Sequence, residues 1–225
     1  MNIRILISIL FVFLLSYVGM ASAQVVITDL SKIELLSDHS SIKAGDSFNI
    51  VIELEPNEGW HAYWVNPGDA GLKLEVAWDL PEGVEVGELQ FSTPHLIPFE
   101  EIVSYGYDGK VTVTAEVKTP DNFESSQLTL AGDAFWLTCS DVLCVPQEAQ
   151  ISHTVLIGEN VIDDRGEMLL KAAQEDTPDE ANWPSQFHTD GENFTIISKI
   201  PDQYPVIESA YLFPRTIGMM ENQYY

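Results

Sequence analysis

The stretch Asp108–Val117, with the sequence DGKVTVTAEV, decides the fold class of this chain. It begins with Asp108-Gly109, a pair that favours the tight turn of a β-hairpin. Every second residue from Val111 to Val117 is then apolar, and the residues between them are Thr or Glu. Since alternate residues of a strand point to opposite faces of a sheet, the pattern predicts a strand with one face in a core and one in water.

Six further runs have the same short, apolar or alternating character, and turn residues such as Lys43–Asp46 and Asn66–Asp69 separate them. They are Val25–Leu36, Ser47–Leu54, Leu72–Trp78, Val84–Phe91, Gln127–Trp136 and Ala149–Ile157. Seven short strands at this spacing predict an all-β protein, an immunoglobulin-like antiparallel β-sandwich.

The pattern divides the chain into four parts: a signal peptide (1–23), the sandwich (24–160), a helix with a linker (161–182) and the start of a second β unit (183–225). Apolar residues at helical spacing predict a short helix over Asp164–Glu175. In the last part Phe194–Ile200 is the first clear strand, and Ala210–Pro214 has the pattern of a strand entering a turn. We expect this unit to be truncated, because about 40 residues form only a marginal domain.

The N-terminus has the three parts of a secretory signal peptide. Met1–Arg4 is positively charged, Ile5–Leu15 is apolar, and Ala21–Ala23 is a small-x-small cleavage site. The apolar run is shorter than the roughly 20 residues that span a membrane, although an uncleaved anchor is the alternative. We therefore predict export to the periplasm, with Gln24 as the first mature residue and any membrane association through domains outside this chain.

The charge balance is strongly acidic, with 35 Asp and Glu residues against 10 Lys and Arg residues and a formal net charge of −25. Such a surface argues against nucleic acid and anionic membranes as partners. It suits a basic protein partner, and it equally suits adaptation to a saline habitat.

The two cysteines, Cys139 and Cys144, are the strongest chemical signal. An exported pair of thiols tends to form a disulfide. A disulfide that closes so short a loop would stabilise the fold by only about 2 kcal/mol. A disulfide at the end of a strand is also accessible to thiol–disulfide exchange. The spacing leaves both uses open. A metal site has less support, because His61, His95 and His153 lack the spacing of a zinc motif; we expect no metal and no cofactor.

Two aromatic segments offer further candidates. Ile102–Gly109 contains Tyr105, Gly106 and Tyr107 and has the composition of an apolar loop that could cover the disulfide, or of packed tyrosines in a hairpin. Gly59–Gly71 contains His61, which is either a ligand or base or an ordinary strand residue, beside tryptophans suited to a sugar platform or to core packing.

Four motifs, in the same order along the chain, resemble the periplasmic N-terminal domain of the DsbD family, and most closely its ScsB-like branch. They are GWHAYWVNPGD at Gly59–Asp69, WDLPEG at Trp78–Gly83, YGYDG at Tyr105–Gly109, and the pair WLTC at Trp136–Cys139 with CVP at Cys144–Pro146. One feature departs from the pattern: four residues separate the cysteines, where the ScsB-like branch usually has three.

The resemblance implies an immunoglobulin-like domain whose disulfide, here Cys139–Cys144, is redox-active. In this family of protein-disulfide reductases the domain receives electrons through a membrane domain and a thioredoxin-like domain, both absent from this chain, and passes them to periplasmic thioredoxin-fold proteins. The DsbD type of the family attacks the partner with its second cysteine, which would be Cys144, but the resemblance leaves the choice between Cys139 and Cys144 open. It also implies that Tyr105, Gly106 and Tyr107 form a cap loop. The family is associated with cytochrome c biogenesis and its ScsB-like branch with copper tolerance. The alternative is a non-catalytic binding sandwich with a structural disulfide, with or without a role in copper tolerance.

Overall fold

The structure, a computed structural model, describes residues 24–178, 182–191, 193–202 and 210–218. The predicted signal peptide, residues 1–23, lies outside the described residues. Among the described residues, no helix is long and apolar enough to cross a membrane.

The described part of the chain is mostly strand, as predicted, and it contains one described helix. In chain order the strands are β1 (Val25–Ile27), β2 (Ser31–Ser37), β3 (His39–Ile42), β4 (Ser47–Pro56), β5 (Ala62–Gly68), β6 (Glu75–Asp79), β7 (Glu85–Val86), β8 (Gln90–Phe91), β9 (His95–Phe99), β10 (Ile102–Tyr107), β11 (Val111–Lys118), β12 (Gln127–Cys139), β13 (Cys144–Ile157), β14 (Val161–Ile162), β15 (Ser185–Thr189) and β16 (Phe194–Ser198). The predicted runs Val25–Leu36 and Val84–Phe91 are each two strands, because a turn or a bend interrupts them.

Two sheets form the immunoglobulin-like sandwich that the sequence predicts. One has the order β1-β2-β4-β11-β7, with β8 also paired to β11, and the other has the order β14-β3-β13-β12-β6. Of the ladders between described strands, the β3–β13 pairing is parallel and the others are antiparallel. The core lies between the sheets, where alternate residues such as Ile50 and Ile52 of β4 meet Leu128 and Leu130 of β12.

A third, smaller sheet with the order β5-β10-β9 joins the end of this sandwich. Its connection to the second sheet is a β-bridge between His61, just before β5, and Cys139, the last residue of β12. The seam between these two sheets therefore lies at the C-terminal end of β12, and it holds the first cysteine.

Helix α1 (Asp164–Asp176) covers the outer face of the first sheet. Leu170 packs against Leu36 and Val51, so the helix partly covers this face. The wet side predicted for β11 is therefore only partly in water, and Thr114 on that side is buried. Gly166 allows the close approach, because a Cβ there would collide with the carbonyl group of Ser37.

An ion-pair cluster fixes the start of this helix to the sheet. The Arg165 guanidinium donates two hydrogen bonds to the carboxylate of Glu34, at 2.7 and 2.6 Å, and one to Glu53 at 3.0 Å. Both carboxylates are buried. Lys110 adds a second cation to Glu53 at 3.1 Å. Hydrogen bonding to Glu34 is the main reason that the pKa of Arg165 lies above its usual value.

One imidazole, that of His153, lies on the core-facing side of β13, because its direct cross-strand partner is the core residue Leu130. His153 Nε2 lies 3.0 Å from the hydroxyl of Ser37, and Nδ1 has no hydrogen-bond partner among the described residues. Burial lowers the pKa of His153, and the charges of Asp163 and Glu34 oppose this shift only in part. The folded protein therefore favours the neutral ring.

The C-terminal part is a hairpin followed by a segment that returns to the sandwich. Strands β15 and β16 pair with each other and are largely exposed. Residues 210–214 are not a strand, in contrast to the sequence prediction. Phe213 instead packs edge-on against Tyr105 and Trp64, and the Asn66 side chain donates a hydrogen bond of 2.6 Å to the Pro214 carbonyl. This segment thus completes one side of the core.

Candidate functional site

Cys139 and Cys144 form a disulfide bond at the end of the β12–β13 hairpin. The two residues are direct cross-strand partners, with Sγ atoms 2.07 Å apart and Cα atoms 4.0 Å apart. Ser140 holds the intervening turn, because its N–H donates to the Leu143 carbonyl at 2.9 Å and its hydroxyl accepts from the N–H groups of Val142 and Leu143.

The backbone of Cys139 is hydrogen-bonded to His61, which lies on the side of β12 opposite to β13. The His61 N–H donates to the Cys139 carbonyl at 2.8 Å, and the Cys139 N–H donates to the His61 carbonyl at 3.1 Å. Cys139 and Cys144 are therefore a non-hydrogen-bonded pair of the antiparallel ladder. The Cα atoms of such a pair lie closer together than those of a hydrogen-bonded pair. This close approach brings the two thiol groups within bonding distance.

The two cysteines differ sharply in accessibility. Cys139 is 1% exposed, whereas Cys144 is an exposed residue at the start of β13. A thiolate from another protein can attack only a sulfur that it can reach. The geometry therefore offers Cys144 to an incoming nucleophile and keeps Cys139 as the sheltered sulfur.

A small cavity of about 180 Å³ opens beside the disulfide. Its lining includes both cysteines, the hairpin tip and side chains of the small sheet, among them His61, Tyr63, Ile97, Ile102 and Ser104. Val142 at the tip is 94% exposed and Leu143 is 57% exposed. Apolar side chains are thus available at the point where another protein would have to approach the sulfurs.

The predicted cap-loop residues Tyr105, Gly106 and Tyr107 lie in strand β10, so the prediction of a loop over the disulfide does not hold for them. Both tyrosines are buried, and burial raises the pKa of each above its usual range. The Tyr107 hydroxyl donates to the Ser92 carbonyl at 2.8 Å. Gly106 has no room for a side chain, because a Cβ would collide with the carbonyl of Ala62.

His61 is a titratable residue that pairs directly with Cys139 across the seam between the sheets. Direct cross-strand partners project on the same face, which agrees with the shared cavity of His61 and Cys139. Burial lowers the pKa of His61, and the charges of Asp108 and Asp141 raise it in part. Burial therefore favours the neutral form of the His61 ring. This position of His61 could not be predicted from the sequence, because the pairing joins segments that lie far apart in the chain.

The two other histidines considered as metal ligands from the sequence, His95 and His153, make separate contacts. His95 Nε2 lies 2.9 Å from Asp108 Oδ2 on the surface, and His153 Nε2 lies 3.0 Å from the Ser37 hydroxyl inside the sandwich. Among the described residues, no group of three or more His, Cys, Asp or Glu side chains is arranged to hold a metal ion.

Fold and site together define a class: an immunoglobulin-like domain with a hairpin disulfide in which one cysteine is buried and the other is exposed. A family model described as "Thiol:disulfide interchange protein DsbD, N-terminal" matches residues 34–156. The chain therefore belongs to this family of thiol:disulfide interchange domains, and the family predicted from the sequence motifs is confirmed.

Comparison with solved structures supports the fold. The N-terminal periplasmic domain of ScsB from Proteus mirabilis matches with a TM-score of 0.59 and 19% identity, over 78% of this chain and 67% of that chain. The GAE domain of GGA2p from Saccharomyces cerevisiae matches 58% of this chain and 96% of that chain, but its TM-score of 0.35 and identity of 10% carry no argument. Among curated proteins, no relative matches the chain.

Proposed function

We propose that Cys139 and Cys144 are the redox-active pair of a periplasmic module that passes electrons to envelope proteins with a thioredoxin fold. The observation that carries the proposal is the contrast between the exposed Cys144 and the 1% exposed Cys139 within one disulfide. A bridge of this kind can be opened at one defined sulfur, whereas a purely structural disulfide gains nothing from an exposed sulfur.

In the reduced module, the Cys144 thiolate attacks the disulfide of the partner. A bond forms between Cys144 Sγ and one partner sulfur, and the other partner sulfur leaves as a thiolate. The Cys139 thiolate then attacks Cys144 Sγ, which closes the Cys139–Cys144 bond and releases the partner's remaining thiolate. The partner gains two electrons and the module loses two, and the released thiolates take up protons according to their pKa values.

The return step runs through the same sulfur. A dithiol donor attacks Cys144 Sγ and displaces Cys139 as a thiolate, and the second donor thiolate then resolves the mixed disulfide and releases Cys144. Membership of the DsbD family supports a donor of the thioredoxin-like type, with electrons supplied by a membrane domain outside this chain. In this scheme residues 1–23 act as the export signal, and the acidic surface excludes nucleic acid.

Single-cysteine variants test the assignment of the sulfurs. Reduced Cys139→Ser, which keeps Cys144, and reduced Cys144→Ser, which keeps Cys139, are each mixed with an oxidised thioredoxin-fold protein, and mixed disulfides are counted by mass spectrometry. We expect a mixed disulfide through Cys144 and at least about tenfold less through Cys139 in the same time, because the thiolate must be accessible to react. Equal trapping through both, or trapping only through Cys139, would contradict the proposal.

A further inference from the structure

We infer that the outer face of the β12–β13 hairpin, next to the disulfide, docks a protein segment in which an apolar side chain is flanked by Arg or Lys. The inference rests on the proposed function, because it describes how a partner reaches Cys144. The surface comprises Leu72, Phe135, Pro146 and the tip residues Val142 and Leu143, and we call it the apolar strip.

The strip lies on the same side of the hairpin as the disulfide. Phe135, Leu137 and Cys139 alternate with core residues such as Trp136 along β12. Leu137 is the direct partner of Pro146, as Cys139 is of Cys144, and direct partners share one face of a sheet. Because a strand rises about 3.3 Å per residue, Phe135 lies roughly 13 Å from Cys139 along the strand, within the footprint of a docked protein.

The side chains of the strip are unusually accessible for their size. Phe135 is 45% exposed, and Leu72 and Leu143 are each 57% exposed. Leu72 lies beside the hairpin, since its carbonyl accepts a hydrogen bond from the N–H of Leu137 at 3.3 Å. A groove of about 320 Å³ runs between Leu72, Phe135 and Pro146. Exposed apolar patches rimmed by polar residues are typical of protein-binding sites.

Carboxylates surround Phe135 on both sides. Its direct cross-strand partners are Glu75 on β6 and Glu148 on β13, and both glutamates are exposed. Lys73 is the basic residue in the lining of the groove, and it lies 3.8 Å from Glu75. In the described part of the chain Glu148 forms no ion pair, so the groove keeps a net negative charge.

This combination selects the chemistry of the partner. An apolar side chain can occupy the groove beside Phe135, and basic side chains on either side of it would face Glu75 and Glu148. Charges at the rim of an interface mainly raise the association rate, and salt weakens their effect. A steered but weak contact also suits an exchange partner that must leave after each transfer.

Two peptide probes test the inference on the reduced protein. Each carries one cysteine as a mixed disulfide with thionitrobenzoate and one leucine near it; one has flanking arginines and the other has flanking glutamates. Attack by the Cys144 thiolate on the peptide sulfur releases thionitrobenzoate, which is followed by absorbance. We expect the basic peptide to react on the order of tenfold faster at low salt, and the ratio to fall in about 1 M salt.

Matched variants separate the effect of this surface on the reaction rate from the intrinsic reactivity of the two peptides. The double variant Glu75→Gln with Glu148→Gln should lower the ratio of the basic-peptide rate to the acidic-peptide rate at least about threefold. The control, Glu82→Gln with Glu124→Gln, changes two exposed acids at the far end of the sandwich and should leave the ratio unchanged. Phe135→Ser should slow the basic peptide, whereas Leu156→Ser, at an equally exposed position of β13, should not.

The outcomes are distinct. If the ratio is the same in the wild type and in the Glu75 and Glu148 double variant, the docking surface is refuted while the exchange function stands. If neither peptide releases thionitrobenzoate, the proposed exchange function fails, and the docking surface fails with it. Equal reaction of 2-hydroxyethyl disulfide, a small neutral substrate, with the wild type and both double variants shows that the substitutions leave Cys144 itself intact.

Discussion

Loss of the disulfide should leave the domain folded, and Cys144→Ser tests this without burying a hydroxyl, because residue 144 is exposed. The cysteines are only 5 residues apart, and the chain-entropy model gives about 2 kcal/mol for so short a loop. A domain of this size typically has about 5–15 kcal/mol of stability. The hairpin also has backbone pairing along the whole of β12, from Gln127 opposite Leu156 to Cys139 opposite Cys144.

Urea unfolding followed by tryptophan fluorescence measures this cost, since Trp136 lies in the core next to the hairpin end. We expect a lower unfolding midpoint, an unchanged dependence on urea, and a loss of about 2 kcal/mol. The wild type in reducing agent should unfold with the variant. A loss above roughly 4 kcal/mol, or an unfolded variant without urea, would show that the disulfide is needed as a scaffold.

Three further predictions concern the packing and charges of the sandwich. Arg165→Ala should lower the free energy of unfolding, measured by urea titration, by about 1–2 kcal/mol. This is less than the cost of breaking a fully buried ion pair, because the arginine is half-exposed. The control Lys171→Ala, on the exposed side of α1, should lower it by less than about 0.5 kcal/mol. Phe213→Ala should lower the free energy of unfolding by about 2 kcal/mol, because it removes the ring contacts of Phe213 with the core. The side chain of Leu212 is exposed, so an equal effect of Leu212→Ala would contradict the packing described. Burial lowers the pKa of His153 in the folded state, so the stabilisation from its neutral ring is fully present above the unfolded pKa of about 6.5 and is lost as the pH drops below that value. His153→Gln should therefore reduce the loss of unfolding free energy between about pH 7.5 and 5.5. An unchanged pH dependence in this variant would contradict the prediction.

The sandwich could be predicted because its strands follow simple alternation. The runs around β4, β11 and β12 place apolar residues on one face, and the structure uses those faces for the core. The pairing of β5, β9 and β10 into a separate sheet could not be predicted, for a physical reason. Strand β5 includes Asn66-Pro67-Gly68, a turn signal by composition, and β9 contains Pro98, which lowers the strand propensity. Their pairing with β10 depends on contacts that no local pattern reveals.

At the site, the cysteine pair could be predicted and its asymmetry could not. Cys139 is buried because β12 pairs with His61 from a distant part of the chain, and the two cysteines look alike in sequence. A strand at the predicted cap loop could have been recognised from the sequence. Tyr105 and Tyr107 are two residues apart, the spacing at which residues of a strand share one face. Their common face is the core, and Gly106 between them meets the backbone of β5.

The reduction potential of the Cys139–Cys144 bond tests the central claim most directly. The oxidised protein is equilibrated with dithiothreitol or glutathione redox buffers, and the free thiols are alkylated and counted by mass spectrometry. A disulfide that exchanges electrons through an exposed Cys144 should have a midpoint above about −300 mV and reach equilibrium readily. A midpoint below that value, with slow reduction of the folded protein, would identify the bond as structural and contradict the account.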